Sequence, residues 1–576
     1  MECLQPNPER LERRHFTPHD INLCDWDQVR DVMDRLMNRP IDSAESLERY
    51  FLDVCDLTSA LTEETCRIQL AVSVNTADET ARERYQHFMA RILAPAAETL
   101  TALDTRFLES PYVKELDGER YGQLIRLLHT SQDLFRKENI PLGVRDSELS
   151  DIYNALAGGL SVEFQGKTRN LSEMTNFQES TDRTLRESAW RTVAACRNEK
   201  IDEINAVYSE MISIRTRVAR NAGFPDYRAF RHIQLNRFDY QPEDCIRYHD
   251  AMEQYAIGPY LERQKKRKSK LGIDVLRPWD LHVDVDGNQP LQPFSRQAEL
   301  VTRVTAILDR IYPNLGDTLR LLEHYGHLDL MTRQNKSPVG FNMPLDETRV
   351  SFIFMNATGQ HSDVIVLLHE SGHAIETRAC IDQAITHYRH TPQEWGECAS
   401  QSIEMLALDH LDVLYPDPAI RKRCIIDKLD SILWSLIATA RIDAFQHWVY
   451  THPDHSDDER ADRWLELSHR FPTGAAIDGL EHLIRWQWQS IPHLFIVPFY
   501  YIEYGIAQLA AIQVYRKVRQ SGFNALERWF ETMRLGHSVS IPELYRRAGL
   551  QFRFHGEFAG ELIRFITDEI DRIESC

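Results

Sequence analysis

The sequence lacks the features that mark secreted, membrane and disulfide-stabilised proteins. Its ten cysteines are scattered over 576 residues, with no C-x-x-C pair and no regular spacing, which excludes a disulfide framework and a thiolate zinc site. The N-terminal stretch MECLQPNPERLERRHF has no apolar run of the secretory type, and no window approaches about eighteen consecutive apolar residues. We therefore expect reduced thiols, a cytoplasmic location and no membrane partner.

A surplus of positive charge is also missing. The formal net charge is -20, whereas phosphate binding depends on concentrated lysine and arginine, so we expect no nucleic-acid partner. The single basic run, QKKRKSK at residues 264–270, is interpreted as a solvated helix end, with a targeting or anion-binding patch as the alternative.

The composition is that of an ordinary globular protein, with 43% hydrophobic and 27% charged residues. Apolar residues recur at helical spacing through residues 46–65 and 83–103, and again through 201–230, where Gly223 to Pro225 ends the pattern. Residues 160–176 alternate about a glycine-containing turn and predict a small hairpin. The fold is predicted to be mostly α, with an N-terminal helical region at 1–195 and a catalytic region at 196–576.

A second alternating stretch, SPVGFNMPLDETRVSFIFMN at residues 337–356, predicts two short strands about a turn. It lies just before the stretch LLHESGHAIETRAC, in which His369, Glu370 and His373 form an H-E-x-x-H pattern. Such a short pattern also arises by chance in a chain with 23 histidines, so it needs support from its surroundings.

The surroundings predict a helix through the pattern, capped by Ser362 or Asp363. Residues four apart share a helix face, so His369 and His373 can bind one tetrahedral zinc, while Glu370 can act on a water as general base. Gly372 costs about 1 kcal/mol relative to alanine inside a helix, and close approach of a neighbouring backbone would explain it.

A catalytic zinc needs a third protein ligand, and a second helix supplies a candidate. The run TPQEWGECASQSIEML predicts a helix with Thr391 as N-cap, Pro392 at its first position and Glu394 completing a capping box. Glu397 lies in its second turn and is the predicted third ligand. Glu404 lies two turns further and is either a partner of a ligand imidazole or an ordinary helix carboxylate.

Three segments resemble peptidase family M3, particularly its oligoendopeptidase F branch, which is related to thimet oligopeptidase. They are FMNATGQHSDVIVLLHESGHAIE, ECASQSIEML and HLFIVPFYYIEYGIAQLAAIQVYRK, in the order and approximate spacing of the family. The resemblance implies two helical lobes with a deep substrate channel between them and a small β-sheet beside the motif. It also implies one zinc ion per chain.

The same resemblance assigns roles to individual residues. His369, His373 and Glu397 match the zinc ligands, and Glu370 matches the general base. In the third segment, His493, Tyr501 and Tyr504 match the residues that hold the substrate and the oxyanion. The sequence departs from many relatives at Glu376, where they have histidine, and in PVGFNMP before the strand.

The predicted function is a zinc-dependent metalloendopeptidase of short unfolded oligopeptides, which would pair with the strand at residues 351–356. Two alternatives remain open. A zinc carboxypeptidase or dipeptidase of related fold would need a cation to bind the free carboxylate, and Arg441 and Arg485 are candidates. A non-catalytic peptide-binding protein would have lost turnover, which the intact Glu370 argues against. Nothing in the sequence indicates the oligomeric state or the preferred side chains.

Overall fold

A computed structural model describes residues 14–337 and 339–575, and in this part of the chain the fold is mostly helical. The N-terminal helices are Trp26–Met37, Ala44–Val74, Glu79–Phe88, Ala94–Leu108, Gly118–Leu134 and Ile140–Gly158. Those of the middle region are Leu171–Gln178, Arg183–Asn198, Ile201–Asn221, Tyr227–Gln234, Pro242–Tyr255, Ile257–Lys270, Gln297–Ile311 and Asp317–His324. The remaining ones are His361–Ala379, Thr386–Arg389, Gln393–Leu406, Pro418–Thr451, Asp457–Arg470, Glu481–Ile484, Pro492–Ile496, Tyr501–Ser521, Phe523–Met533, Ile541–Arg547 and Gly556–Ser575.

Most predicted helices form where the apolar spacing places them. The window at residues 46–65 lies inside the helix Ala44–Val74, which Ser43 begins with a capping box. The window at 83–103 is helical too, although a π-helical segment, Met89–Leu93, interrupts it. The helix from Ile201 ends at Asn221, and Gly223 follows at φ +88°, a conformation that favours glycine.

The predicted hairpin is present but shorter than expected. Strands β1 (Ser161–Phe164) and β2 (Lys167–Asn170) pair antiparallel about a turn at Gln165 and Gly166. The predicted extension to residue 176 is wrong, because Asn170 caps the helix Leu171–Gln178 in a capping box. Local capping therefore ends the second strand.

The second sheet has three strands, β3 (Leu328–Met331), β4 (Phe341–Met343) and β5 (Phe352–Ala357), in the order β3-β5-β4. The two strands predicted about a turn are β4 and β5, which pair antiparallel, and the unpredicted β3 pairs parallel to β5. The expectation that a peptide pairs with residues 351–356 is wrong, because β5 has a neighbour on each side. The strand β4 is the edge next to the helix that follows.

We call His361–Ala379 the motif helix. Its N-cap is Gln360 rather than Ser362 or Asp363. Asp363 stabilises the start from inside the first turn, because its carboxylate accepts hydrogen bonds of 2.8 Å from the backbone N–H groups of Thr358, Gly359 and Gln360.

We call Gln393–Leu406 the glutamate helix. It begins one residue later than predicted, with Pro392 as N-cap and no side-chain cap. The predicted capping box with Thr391 is wrong. The side chain of Glu394 is buried and accepts a 2.6 Å hydrogen bond from the hydroxyl of Tyr240 instead.

Buried apolar side chains form one large core and several smaller ones. The large core collects residues from Leu149 to Ile570, and a second core collects residues 23–128. Ile385 and Tyr388, from the connection between the motif and glutamate helices, pack into the second core. The boundary at residue 195 stays a prediction. Within residues 14–337 and 339–575, no helix has both the length and the apolar character needed to cross a bilayer.

Candidate metal and active site

The motif helix and the glutamate helix cross at an unusually short distance. A Cβ atom placed on Gly372 would lie 2.3 Å from the Cα atom of Ser400 and 2.9 Å from its backbone nitrogen. Only glycine allows this approach, so the predicted reason for Gly372 is confirmed. The contact brings the side chains of both helices into one cluster.

The cluster contains the three predicted metal ligands. The Nε2 atoms of His369 and His373 lie 3.3 Å apart. Glu397 places one carboxylate oxygen 3.4 Å from Nε2 of His369 and the other 3.6 Å from Nε2 of His373. These donor atoms all lie within 4.8 Å of one another, so the three residues can hold a metal ion.

Glu404 holds one of these imidazoles from behind. Its Oε1 atom lies 2.7 Å from Nδ1 of His369, and its second oxygen contacts the ammonium group of Lys428. Of the two predicted alternatives for Glu404, this contact favours the partner of an imidazole, while the role of His369 as a metal ligand stays a prediction. The contact orients the ring of His369 and leaves Nε2 free for a metal.

Glu370 lies beside the cluster and is only 7% exposed. Burial raises the pKa of Glu370 to about 7, and a hydrogen bond from the backbone N–H of Asn342, in strand β4, opposes the rise. Within the described residues its Oε2 atom has no hydrogen-bond partner. The carboxylate therefore has one oxygen available for a water or a substrate, at the edge of the sheet.

The helix Tyr501–Ser521, which we call the tyrosine helix, brings a third set of groups. Just before it, Phe499 adopts φ +64°, and Arg237 donates a 2.6 Å hydrogen bond to its carbonyl oxygen. Arg237 also forms a buried ion pair of 2.6 Å with Glu503. These contacts fix the bend from which the tyrosine side chains emerge.

The three tyrosines of this bend have different partners. The hydroxyl of Tyr500 donates to Glu397, and Gln393 lies 3.1 Å from it. The hydroxyl of Tyr504 lies 3.0 Å from Nε2 of His493. The ring of Tyr501 packs 4.9 Å from that of His493 and 5.3 Å from that of Tyr504. The structure thus brings His493, Tyr501 and Tyr504 together, next to the metal cluster.

Burial, followed by the nearby charge of Glu397, raises the pKa of Tyr504 well above its ordinary value. Burial also lowers the pKa of His493 to about 4, so its imidazole is neutral near pH 7. The pair is therefore a neutral phenol beside a neutral imidazole.

Glu376, the position where many relatives have histidine, lies outside this cluster. It is buried, and the thiol of Cys380 donates to its Oε1 atom at 3.5 Å. Burial raises the pKa of Glu376 to about 7. The departure from the family pattern leaves the three metal-binding side chains unchanged.

Three contributors to the site were missed in the sequence. Tyr500 contacts Glu397, Lys428 contacts Glu404, and the backbone of Asn342 contacts Glu370. The aromatic run PFYYIEY signalled Tyr500, although nothing separated it from its neighbours. Lys428 and Asn342 are distant in sequence from their partners, and no local pattern marks them.

A second donor cluster lies in the core. Cys245, Asp443 and His447 are all buried and place donor atoms within 4.8 Å of one another. His249 lies 2.8 Å and His447 3.2 Å from the Oδ2 atom of Asp443, so these side chains bind one another. The ring of His447 packs against Phe499, which makes the cluster part of the support beneath the bend.

Two helices carry two histidines and a glutamate, and a third helix with tyrosines packs beside them. This arrangement is typical of a class of metal-dependent hydrolases. Comparison with protein families places the chain within that class. The model described as "Peptidase family M3" matches residues 176–562, and that described as "Peptidase M3 N-terminal domain" matches residues 16–135. The chain belongs to peptidase family M3 and is a peptidase.

Curated relatives and solved structures agree with this assignment. The chain is 20% identical over 551 residues to the plasmid-encoded oligoendopeptidase F of Lactococcus lactis subsp. cremoris, covering 88% of this chain and 87% of that protein. A solved putative oligoendopeptidase F matches with a TM-score of 0.90 at 22% identity, covering 98% of this chain and 99% of the other. A structure of PZ peptidase A with an inhibitor gives a TM-score of 0.89 at 21% identity, with 98% of each chain covered.

Proposed function

We propose that this chain is a zinc-dependent endopeptidase of short, unfolded peptides, with His369, His373 and Glu397 as the zinc ligands. The observation that carries the proposal is the spacing of the donor atoms. Ligands on a tetrahedral zinc, with bonds of about 2.0–2.1 Å, lie about 3.3 Å from one another. The separations of 3.3, 3.4 and 3.6 Å between the donors here fit that requirement.

The donor set supports zinc in a second way. Two imidazoles and one carboxylate are the ligand types of hydrolytic zinc sites, and three protein ligands leave a position open. The contact between His369 and Glu404 is the carboxylate–histidine arrangement usual around zinc. When bound, zinc lowers the pKa of water and polarises a carbonyl group.

Glu370 is the proposed general base. Its Oε2 atom is buried without a partner in the described residues, so it can accept a proton from the attacking water. It then passes the proton to the nitrogen of the departing amine, which balances the hydrolysis. The hydrogen bond from Asn342 keeps the carboxylate at the sheet edge during both steps.

Tyr504 is the proposed donor to the oxyanion. His493 is neutral, and its Nδ1 atom has no partner among the described residues. If the ring carries its proton on Nε2, it donates to the oxygen of Tyr504 and leaves the phenol hydrogen free for the substrate. A fixed donor aimed at developing negative charge stabilises the transition state. Tyr501 and His493 complete the proposed catalytic set.

Strand β4 is the proposed docking edge for the peptide backbone. The described residues place β5 on only one side of β4, and Asn342 of this strand contacts Glu370. An extended peptide added to the free side would pass the general base. Because only an extended chain can pair in this way, the proposed substrates are oligopeptides and unfolded segments.

The test uses a ten-residue peptide with an acetylated N-terminus and an amidated C-terminus, offered free and within a stably folded domain. Mass spectrometry of the products should show cleavage of internal bonds in the free peptide and an intact folded domain. An exopeptidase or a non-catalytic binding protein would leave the blocked peptide whole. Cleavage of the folded domain at the rate of the free peptide would contradict the restriction to extended substrates.

The finer features of this proposal stay predictions. They are the two-lobed channel, the division near residue 195, one zinc per chain and a cytoplasmic location. The cysteines of the described part, eight in number, are free, which supports a reducing compartment.

A further inference from the structure

A cavity of about 740 Å³ lies along the motif helix, beyond the proposed zinc ligands. Ser362, Ile365 and Val366 of that helix line it. These positions precede His369 by seven, four and three residues, so they share its helix face. The cavity therefore continues the active-site surface toward the start of the motif helix.

Most basic side chains in this cavity are already neutralised or bonded. Arg423 forms a 2.6 Å ion pair with Asp284, and Lys428 pairs with Glu404. Arg267 donates a 2.6 Å hydrogen bond to the carbonyl oxygen of Val283. Burial raises the pKa of Asp427, and the charge of Arg267 opposes that rise, so each of these three cations has an acidic neighbour.

Arg441 differs from them. Its guanidinium lies between two indole rings, 5.2 Å from the centroid of Trp434 and 4.8 Å from that of Trp464. Among the described residues no carboxylate pairs with it, and its buried Nε atom has no hydrogen-bond partner. Burial lowers the pKa of Arg441 to about 10, which leaves it charged at pH 7. An unpaired charge in such a place is costly unless a ligand supplies the counter-charge.

Arg441 is also connected to the proposed catalytic groups. Burial raises the pKa of Tyr501, and the charge of the nearby Arg441 opposes that rise. The ring of Tyr501 packs in turn against Tyr504 and His493. The side chain of Tyr501 therefore connects Arg441 with the proposed oxyanion donor Tyr504.

We infer that Arg441 binds a carboxylate of the substrate in the cavity that Arg441 and Trp434 line. The two indole rings fix the plane of the guanidinium, whose fork of N–H groups matches a carboxylate. The inference rests on the proposed function and adds to it a preference for anionic peptides. The carboxylate is either the free C-terminus or an aspartate or glutamate side chain, and the experiment distinguishes them.

The experiment compares one acetylated octapeptide as the C-terminal acid and as the C-terminal amide. The zinc-loaded wild-type protein should cleave the acid with a kcat/KM at least about tenfold higher, the scale of a lost hydrogen bond to a charged group. A further set of peptides consists of the C-terminal amide with a single glutamate placed at each position in turn. These peptides should be cleaved as fast as the acid only if a side chain supplies the carboxylate.

Arg441→Met fills the space between the indole rings without charge and should abolish the preference for the acid. Arg485→Met is the matched control, because Arg485 also stacks on an indole, Trp486, but pairs with Asp458 and Asp462 outside the cavity. It should keep the full preference. Arg441→Lys should keep part of it.

Binding is measured separately from turnover, by quenching of tryptophan fluorescence with acetylated tetrapeptide acids and amides, including the glutamate-containing amides. If peptides with a carboxylate bind more tightly and this difference depends on Arg441, the result supports the inference, even if no peptide is cleaved. The absence of any cleavage would refute the proposed function instead. The inference would be overturned if the wild type cleaved and bound the acid, the plain amide and all glutamate-containing amides equally well. It would also be overturned if Arg441→Met lowered the rates and affinities for all these peptides equally, because Arg441 would then be a purely structural residue.

Discussion

Gly372 and Ser400 determine how closely the two helices of the metal site approach. The 2.3 Å between a Cβ on Gly372 and the Cα of Ser400 leaves no room for a side chain, and the obstacle is backbone. We expect Gly372→Ala to lower the free energy of unfolding by about 1–3 kcal/mol, despite the better helix propensity of alanine, because the helices must separate. Urea unfolding monitored by circular dichroism measures the change.

Gly122→Ala is the matched control for this substitution. Gly122 lies inside the helix Gly118–Leu134, and a Cβ there has nothing within 4 Å. The same change should therefore stabilise the protein, by up to about 1 kcal/mol. If both variants move in the same direction, the close helix contact is not the reason for Gly372.

Replacing Glu397 by alanine should remove the metal while leaving the helices in place. We expect zinc affinity to fall by more than about 100-fold, since losing even an outer partner of a metal ligand costs about 10- to 100-fold. Metal content after dialysis against buffered zinc, with far-ultraviolet circular dichroism as the check on folding, measures the effect. Glu376→Ala is the control, because Glu376 lies on the motif helix but outside the cluster, and this variant should keep its zinc. If Glu397→Ala also retains zinc, another residue must be the third ligand.

Replacing Glu370 by glutamine should separate binding from turnover. The amide keeps the shape of the side chain but cannot accept the proton of the attacking water, so kcat should fall about 10²- to 10⁴-fold. Zinc content and the dissociation constant of the octapeptide should change little. A variant that keeps more than about a tenth of the wild-type kcat would exclude Glu370 as general base.

Two tyrosine substitutions should have different consequences, although the residues are neighbours. Tyr504→Phe should lower kcat about 10²- to 10³-fold with little change in KM, because a phenol directed at an oxyanion matters most in the transition state. Tyr500→Phe removes the hydrogen bond to Glu397 and should weaken zinc binding by about 10- to 100-fold. Steady-state kinetics and zinc titration of both variants test this division, and identical profiles would refute it.

The convergence of the three candidate metal ligands could be predicted from the sequence because helical periodicity places each of them on a helix face. The spacing of His369 and His373 follows from helical periodicity, and Glu397 and Glu404 repeat on one face of the next long helix. The capping of that helix could not be predicted in the same way. Glu394 has a distant partner, Tyr240, and this tertiary hydrogen bond outweighs the local capping pattern.

Other features depend on contacts that no local pattern encodes. Whether β5 is an edge or a central strand depends on β3, a strand of only four residues that pairs parallel to it. The partners of Tyr500, Tyr501 and Tyr504 depend on the bend at Phe499. Arg237 holds this bend from the connection between the helices Tyr227–Gln234 and Pro242–Tyr255. The surroundings of Arg441 and Arg485 could not be predicted from the sequence either. Arg485 pairs with Asp458 and Asp462, whereas Arg441 pairs with no carboxylate among the described residues.

The positions of the site residues along the chain also bear on the order in which the site assembles. His369 and Glu404 are 35 residues apart, whereas Tyr500 is 103 residues from Glu397. The entropy of loop closure makes the second contact about 1 kcal/mol more costly to form. We therefore expect the motif and glutamate helices to pair early in folding and the tyrosine helix to dock on them late. In that order, the three candidate metal ligands come together before the proposed oxyanion donor arrives, so we expect the chain not to cleave its own unfolded segments while it folds.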